Sequence, residues 1–497
     1  MLYQIVSIVC GLITPRLILS AFGSTYNGVV GSAKQFLSLV NILNIGIAGA
    51  TRVALYKTLA SDDREGTSRI IKATKNYMAK VGMAIVIYVV VLMALYPLLS
   101  HNNLSPRECA LIIGIVGLST FAEYFFGITN KTLLSADQSA YITSTLNIIA
   151  QIANTLVTAC LIKLGCNVFT VQLGSAIVFF LSPLVLNIYV KHKYELDDEC
   201  EPDNSAIEQR GAVAVHSIAD IIHNNTDILL LTLFTDAKEI SVYTVYYLVA
   251  GKMKSLLKVI TSGMEAAFGN MWAKKELKRL GEVFEMFEFA LFSFTTVTFT
   301  CMGLLFTSFV KLYTTGVNDI EYVRLTLAIL ITVTEAAYCI RQPYRTIVQA
   351  AGKYEETKKG AALEAAVNIC ASLILINFLG IEGVIIGTLL ANLIRTTQLA
   401  VFSSKHIISR PVMHIVKRCI VELCVCAVSV LAVLFIRQFM PPIESWGLWI
   451  IHGFVSFAVC LLTQCAAALV FYRNDLVGVF TILMPTIKKK VANSSGK

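Results

Sequence analysis

Charged residues are scarce in this sequence. They account for 15% of its 497 residues, whereas a soluble globular domain carries about 25%. Apolar residues make up 56% of the chain, and the mean hydropathy is +0.70. The longest hydrophilic stretch, 191–210, is about the length of one loop. The composition excludes a large folded domain outside a bilayer and predicts a polytopic membrane protein.

The motifs of common enzymes are missing as well. The sequence contains no P-loop, no HExxH and no GxSxG with triad partners. Most of the 13 cysteines lie within apolar runs, and the pair Cys424 and Cys426 is a CxC without a histidine at metal-ligand spacing. We therefore expect no enzyme, no catalytic residue, no cofactor, no metal site, no disulfide framework and no nucleic-acid partner.

Long apolar runs are what the sequence has instead. A helix needs about 20 apolar residues to cross the hydrocarbon core. The first run begins at residue 1 without a charged leader, so we expect no cleaved signal peptide. On this template the sequence predicts about fourteen transmembrane helices, at 1–22, 27–56, 76–99, 108–134, 140–163, 168–190, 212–234, 240–268, 283–311, 322–349, 359–379, 382–403, 417–437 and 446–472.

The distribution of lysine and arginine predicts the orientation. Loops that follow even-numbered spans, with the adjoining helix ends and the C-terminal tail, carry 25 of these residues, and loops that follow odd-numbered spans, with their adjoining helix ends, carry 6. Cytoplasmic loops are the ones enriched in lysine and arginine. Both termini are therefore predicted to be cytoplasmic.

A weak internal repeat predicts the domain organisation. Shifting the chain by 217 residues aligns span 2 with span 8, with identities that include Tyr26 with Tyr243 and Lys57 with Lys274. Six spans are an even number, so the two copies would share one orientation and form a parallel pseudo-repeat. We predict an N-lobe at 1–200 (spans 1–6), a cytoplasmic linker at 201–211 and a C-lobe at 212–404 (spans 7–12). Residues 405–497 would add two extra C-terminal helices and a basic cytoplasmic tail.

Basic residues inside the apolar runs point to a functional cavity. Each would cost about 2.5–3.5 kcal/mol at a helix centre facing lipid. Together they would cost more than the whole stability of a domain, so they are expected to face water or an anion. The sequence thus predicts a cationic cavity, and the residues concerned are Arg16, Lys34, Arg52, Lys252, Lys254, Lys258, Arg341, Arg345 and Arg395.

Two of these positions have a distinctive local context. Arg16 follows the helix-bending Pro15, and it either faces the cavity or snorkels to an interface. Lys254 and Lys258 share a helix face at i, i+4 and would repel each other unless an anion or a carboxylate lies between them. Glu265 is a candidate partner, in which case the group would be a structural salt bridge.

Polar stripes on two spans suggest coupling groups. The stripe on span 10 comprises Glu335, Tyr338, Gln342, Arg345 and Gln349, with Arg341 beside it and Pro343 interrupting it. Span 7 has an acidic stripe that includes Asp220 and Asp227. An intramembrane carboxylate can carry a proton or bind Na⁺, or it can neutralise nearby cations. We predict Asp220, Asp227 and Glu335 as ion-coupling residues, with Glu123 and Glu364 as weaker candidates.

Several segments resemble the polysaccharide-biosynthesis (O-antigen flippase-like) transporters, which belong to the multidrug/oligosaccharidyl-lipid/polysaccharide exporter superfamily. The segments are LITPRLIL at 12–19, FGSTYNG at 22–28, GATRVALYK at 49–57, NNTD at 224–227 and QAAG at 349–352. The resemblance covers at least spans 1 to 12 and rests on dispersed patterns. It implies a two-lobed fold with alternating access in a bacterial cytoplasmic membrane.

The resemblance also implies a substrate. This would be an undecaprenyl-diphosphate-linked glycan, turned from the inner to the outer leaflet. Arginine and lysine bind diphosphate through charge-assisted hydrogen bonds. The expected partners are this lipid, other membrane lipids, H⁺ or Na⁺ as a coupling ion, and the polymerase or glycosyltransferases of surface-polysaccharide assembly. The predicted substrate-binding residues are Arg16, Arg52, Lys254, Lys258, Arg341 and Arg345.

Three other functions remain open from the sequence. A cation-coupled multidrug exporter of the same superfamily would have a cavity dominated by carboxylates and aromatic rings. A membrane-embedded polymerase or ligase would need a large outer loop, which the predicted spans do not leave room for. A non-transporting scaffold would leave the intramembrane charges without a role.

Overall fold

The computed structural model describes residues 2–44, 47–102, 104–194, 196–197, 200–203, 213–473, 475–476 and 478. These residues form helices and connecting turns, and their one β-bridge pairs His101 with Asp236. Residues 204–211 of the predicted linker and 479–497 of the predicted basic tail lie outside the described residues. The prediction of an all-α polytopic membrane protein is confirmed.

The predicted spans can be compared with the helices one by one. Eleven helices of the described part are long and apolar enough to cross a membrane, and the first of them runs from Tyr3 to Asn44. That helix contains predicted span 1 and the beginning of span 2. Spans 7 and 8 are also helical but are not among these eleven. The described residues of each predicted span therefore fall mostly on one helix or on successive helical segments.

The helices group into two compact units. The first unit comprises Met1–Leu248, Gly316–Glu321 and Ser372–Val384, and the second comprises Val249–Thr315, Tyr322–Ala371 and Ile385–Lys497. The predicted lobe boundaries stay a prediction.

The first unit contains eight helices and the start of a ninth among the described residues. They are α1 (Leu2–Ser38), α2 (Ile47–Ala60), α3 (Arg64–Leu99), α4 (Pro106–Ala122), α5 (Ile128–Ala136), α6 (Ala140–Lys163), α7 (Val168–Tyr194) and α8 (Val213–Phe234), followed by the beginning of α9 (Ala237–Ala273). A π-helical turn, Glu123–Gly127, joins α4 to α5. Asp63 caps α3 by accepting from the Gly66 amide, and Ser105 with Glu108 forms a capping box on α4.

The core of the first unit lies where α1, α3 and α4 meet. Val29, Ala33 and Leu37 of α1 are fully or almost fully buried against Tyr96 of α3 and Ile112 of α4. These α1 residues recur at steps of four, so one face of the helix is apolar. That packing fixes the second half of α1 in the unit.

A single glycine interrupts α1. Gly23 has φ +81° and ψ −178°, a conformation that L side chains rarely adopt. The sequence predicts a loop between spans 1 and 2 and a bend at Pro15. In the structure, the residue of α1 with non-helical backbone angles is Gly23. The helical segment after it begins at Ser24, whose amide and hydroxyl donate to the Asp319 carboxylate at 3.0 and 2.6 Å. Asp319 therefore acts as a cap supplied by a distant part of the chain.

Replacing Asp319 by alanine is expected to lower the free energy of unfolding by about 0.5–2 kcal/mol, the usual cost of a lost helix cap. Asn318→Ala, at the exposed neighbouring residue, is the matched control. The measurement is the midpoint of thermal unfolding followed by circular dichroism. Equal midpoints for the two variants would contradict the capping role.

The second unit is built around α10 (Leu277–Tyr313). Its other helices are the rest of α9, α11 (Leu325–Ile340), α12 (Gln342–Ala350), α13 (Tyr354–Leu379), α14 (Ile381–Ser403), α15 (Met413–Arg437) and α16 (Trp446–Phe471), with the tip of the α13–α14 hairpin in the first unit. Near the end of α10, the Phe309 ring centroid lies 5.7 Å from those of both Trp446 and Trp449. The Trp449 indole donates to the Leu305 carbonyl at 3.3 Å. Aromatic packing thus fixes the beginning of α16 against α10.

Candidate functional site: charged side chains within the helices

Three of the predicted cavity cations lie on helices of the first unit. Arg16 is half-buried on α1, Lys34 is exposed further along the same helix, and Arg52 is exposed on α2. The side chains of Lys34 and Arg52 are therefore accessible from outside the helical core.

The acidic stripe of span 7 lies on α8. Asp227 is 8% exposed and accepts a hydrogen bond from the Tyr243 hydroxyl of α9 at 2.8 Å. The Tyr243 ring in turn stacks on Tyr247, with centroids 5.5 Å apart. Asp220, two turns earlier, is half-buried. Asp227, one of the three predicted coupling carboxylates, is thus enclosed and hydrogen-bonded within its own unit.

Amide side chains hold α1 against α8 and α9. The Gln35 amide donates to the Asn224 carbonyl and to Asn225 Oδ1, both at 2.7 Å. Asn27 donates to the Ser241 hydroxyl at 2.7 Å. Because the bonds to Asn225 and Ser241 are half-buried and buried, they fix the position of α8 and α9 against α1, and hence the direction of Asp227.

In the second unit, Lys254 of α9 faces α11. Its ammonium lies 3.0 Å from a Glu335 carboxylate oxygen and 4.1 Å from the centroid of the Tyr338 ring. The Lys254 side chain is 12% exposed. The candidate partner predicted from the sequence was Glu265, but the structure pairs Lys254 with Glu335. The two residues lie on different helices, α9 and α11, so spacing along one helix could not predict the pair.

Arg341 lies at the junction between α11 and α12, one turn beyond Tyr338. Its guanidinium lies 4.7 Å from the Tyr338 ring centroid and forms an ion pair with Glu364 of α13. Arg395 of α14 approaches the other oxygen of Glu364 at 3.5 Å and donates to the Thr357 carbonyl at 3.0 Å. Arg341 is 1% exposed and Arg395 5%, so both are enclosed in this conformation.

These contacts form one chain of alternating charges, here named the charge network: Lys254, Glu335, Tyr338, Arg341, Glu364 and Arg395. Three cations and two carboxylates leave one positive charge. Buried ions are stable only when each is paired and hydrogen-bonded. The network therefore holds α9, α11, α13 and α14 of this unit together and keeps a cationic excess inside it.

The remaining predicted residues lie near this network in sequence. Arg345 is half-buried on α12, and it acts electrostatically on Tyr354, as Glu265 does. Lys252 is half-buried on α9. Lys258 belongs to α9, but its side chain lies outside the described part of the chain. The structure thus assembles Lys254, Arg341 and Glu335 with Glu364 and Arg395, within one unit.

A second cluster of charges in this unit is absent from the residues predicted from the sequence. Glu288 of α10 is 1% exposed and forms ion pairs with Arg410 and Arg418. Arg418 also donates to Asp475 at 2.7 Å. The available signal was a carboxylate inside the apolar run of span 9. Because the cluster joins α10 to the beginning of α15, it anchors the two C-terminal helices to their unit.

The fold and these charges define a class: a polytopic helical membrane protein with ion pairs buried inside its helical units. Comparison of the sequence with protein-family models gave no match, and comparison with curated proteins gave none either. The fold, however, is similar to solved structures of the superfamily that contains multidrug exporters and lipid flippases.

Three of these structures illustrate the similarity. The lipid II flippase MurJ in an inward closed conformation has a TM-score of 0.65 at 16% identity, over 95% of this chain and 99% of its own. A multidrug resistance MATE family transporter of the MOP superfamily, inward-facing, has 0.58 at 15% identity, over 80% and 94%. A MOP superfamily transporter from Pyrococcus furiosus, described by the reverse polarity of its binding pocket, has 0.55 at 13%, over 82% and 95%. At these identities the comparisons show the fold.

Proposed function

We propose that this protein is a flippase of the O-antigen flippase-like family. It moves an undecaprenyl-diphosphate-linked oligosaccharide from the inner to the outer leaflet by alternating access, for surface-polysaccharide assembly. It would lie in a bacterial cytoplasmic membrane with both termini in the cytoplasm. The proposed diphosphate contacts are Arg16, Arg52, Lys254, Lys258, Arg341 and Arg345, and the proposed coupling residues are Asp220, Asp227 and Glu335.

The observation that carries this proposal is the excess of cations on membrane-embedded helices of both units. Lys34 and Arg52 are exposed in the first unit, and the charge network of the second has one more cation than carboxylate. A diphosphate is a compact anion that such groups bind by charge-assisted hydrogen bonds. The similarity to a lipid II flippase over 95% of the chain supports a lipid-linked substrate.

The Lys254–Glu335 pair suggests how substrate and coupling ion are linked. In this conformation Glu335 neutralises Lys254 at 3.0 Å. A diphosphate that took over Lys254 would leave Glu335 buried without its partner. A buried, unpaired carboxylate favours protonation or a bound cation. Substrate binding and ion uptake would then be coupled, because the diphosphate would replace Glu335 as the partner of Lys254. In another conformation, Arg341 would be released from its pair with Glu364.

Charge reversal tests the proposal. We expect Lys254→Glu and Arg16→Glu each to slow flipping by about 10- to 100-fold or more, because a charge-assisted hydrogen bond is worth about 1.5–3 kcal/mol and reversal adds repulsion. The measurement uses proteoliposomes that contain a fluorescent undecaprenyl-diphosphate-linked sugar. Chemical quenching of the outer leaflet gives the rate of movement.

Lys311→Glu, at an exposed site in the last turn of α10, controls for net charge. Wild-type rates in both reversed variants would overturn the assignment of these two residues. If the wild type moved no lipid-linked sugar but cells overproducing it resisted cationic dyes, the function would be multidrug export instead.

A further inference from the structure

The first unit contains a cavity whose polar lining takes no part in the charge network or the Glu288 cluster. It has a volume of about 360 Å³ and is lined by residues of α1, α4, the π-helical turn, α6 and α7. Ser182 lies 12 residues before the end of α7, which is about 18 Å along a helix axis. The cavity therefore lies at membrane depth, where polar walls are costly unless they serve water or a ligand.

Four of the lining side chains make no hydrogen bond or ion pair within the described ranges. They are Lys34 of α1, Thr120 of α4, Asn147 of α6 and Ser182 of α7. Because they come from four different helices, their convergence on one cavity is a property of the fold. Together they offer an ammonium, two hydroxyls and an amide to an occupant.

The π-helical turn shapes one wall. It contributes Glu123 and Tyr124 to the lining, and such turns occur frequently at functional sites. Both Glu123 oxygens accept from the Lys131 ammonium, at 2.6 and 2.8 Å. A Cβ atom on Gly127 would lie 3.0 Å from the Glu123 carboxylate, so glycine leaves room for this arrangement. The Glu123 carboxylate is therefore neutralised by Lys131. Lys34 is the lining cation that pairs with no carboxylate among the described residues.

The lining chemistry fits a sugar. Hydroxyl and amide groups of Ser38, Asn41 and Ser119 add to the four side chains above, and the rings of Tyr124 and Phe179 supply apolar surface. Sugar rings combine many hydroxyls with apolar C–H faces, and they need both kinds of contact. The volume lies at the lower end of the range of small-molecule sites, about 300–1,000 Å³. One or two sugar rings fit such a volume.

We propose that this cavity binds a sugar unit of the lipid-linked substrate, with Lys34 favouring a ring that carries a carboxylate. This inference rests on the proposed flippase function and deepens it, because it separates recognition of the glycan from recognition of the diphosphate. A diphosphate would need several converging cations, and the lining supplies one unpaired cation. A cationic drug would need an unpaired carboxylate, whereas Glu123 is bound to Lys131.

The experiment measures binding to the purified full-length protein in nanodiscs. The probes are undecaprenyl diphosphate alone and the same lipid carrying one hexose, one N-acetylhexosamine or one hexuronic acid. In the wild type, we expect at least one sugar to tighten binding about tenfold over the bare lipid, the effect of one or two additional hydrogen bonds. Lys34→Met should weaken binding of the hexuronic acid lipid selectively.

Two variants remove the proposed contacts. Asn147→Leu combined with Ser182→Ala should reduce the sugar preference to about twofold or less while the affinity for the bare lipid stays unchanged. Thr120→Val gives an independent test if the double variant does not fold. Thr145→Val is the matched control, because Thr145 is exposed on α6 and its hydroxyl donates within its own helix, to the Tyr141 carbonyl.

The outcomes separate this inference from the proposed function. A wild type that binds the bare lipid but prefers none of the three sugars would overturn the sugar site and leave the flippase proposal standing. Variants that lose bare and sugar-bearing lipids equally would also overturn the sugar site. A wild type that binds none of the four probes would overturn both.

Discussion

Replacing Glu364 by glutamine is expected to lower the free energy of unfolding by about 3–5 kcal/mol. Removal of one partner of a buried ion pair leaves an uncompensated buried charge, and that is the usual cost. Here the carboxylate is 4% exposed and neutralises two guanidiniums, those of Arg341 and Arg395. The measurement is a titration of the detergent-solubilised protein with sodium dodecyl sulfate, followed by far-ultraviolet circular dichroism.

Glu355→Gln on the same helix is the matched control. Glu355 is exposed and pairs with Lys358 one turn away, and such surface pairs contribute about 0–1 kcal/mol. If the two glutamine variants unfolded at the same detergent fraction, the charge network would not hold its helices together.

The second large effect is expected at Gly28. A Cβ atom at this position of α1 would lie 1.8 Å from the Ala237 carbonyl oxygen and 2.7 Å from the carbonyl carbon. Both are backbone atoms, so no side-chain rotation relieves the clash and α1 must move. Overpacking commonly costs about 1–3 kcal/mol, and we expect Gly28→Ala to reach or exceed the top of that range.

The movement would also strain the neighbouring hydrogen bond from Asn27 to Ser241. Gly49→Ala provides the comparison, since nothing lies within 4 Å of a Cβ atom there. Alanine in that helix interior should stabilise α2 by about 0.5–1 kcal/mol. Both variants are assayed by the yield of monodisperse protein and by thermal unfolding. A Gly28→Ala protein as stable as the wild type would show that the close approach of α1 to Ala237 is not required.

The helices could be predicted well from the sequence because each apolar run is long enough to identify a span by itself. The runs predicted Arg341, Arg395 and Lys254 within helical segments, and the structure places Lys254 on α9, Arg395 on α14 and Arg341 between α11 and α12. Their partners could not be predicted. Glu364 lies 23 residues from Arg341 and on another helix, so only the packing of α11 on α13 and α14 brings the charges together.

The candidate sugar cavity could not be predicted from the sequence, for a related reason. Thr120, Asn147 and Ser182 are isolated polar residues in three apolar helices, and each alone resembles the ordinary polar residue of a membrane helix. Periodicity along one helix cannot detect convergence between helices. The sequence shows that Lys34 and Glu123 are charged, but it does not show which of them is paired. Glu123 pairs with Lys131 because the π-helical turn places the two side chains together.

The tryptophans that pack on Phe309 also determine which part of the protein intrinsic fluorescence reports on. The chain has three tryptophans, and Trp272, Trp446 and Trp449 all belong to the second unit. Intrinsic emission is therefore a signal from that unit alone, and transfer of the half-buried Trp449 to water would shift it to longer wavelength. Unfolding of the second unit after disruption of the Glu364 pairs should change the emission spectrum, whereas a shift of α1 at Gly28 should leave it unchanged while circular dichroism falls. The molecule thus carries a built-in optical probe for one half of its fold, and a single tryptophan introduced into the first unit would supply the other.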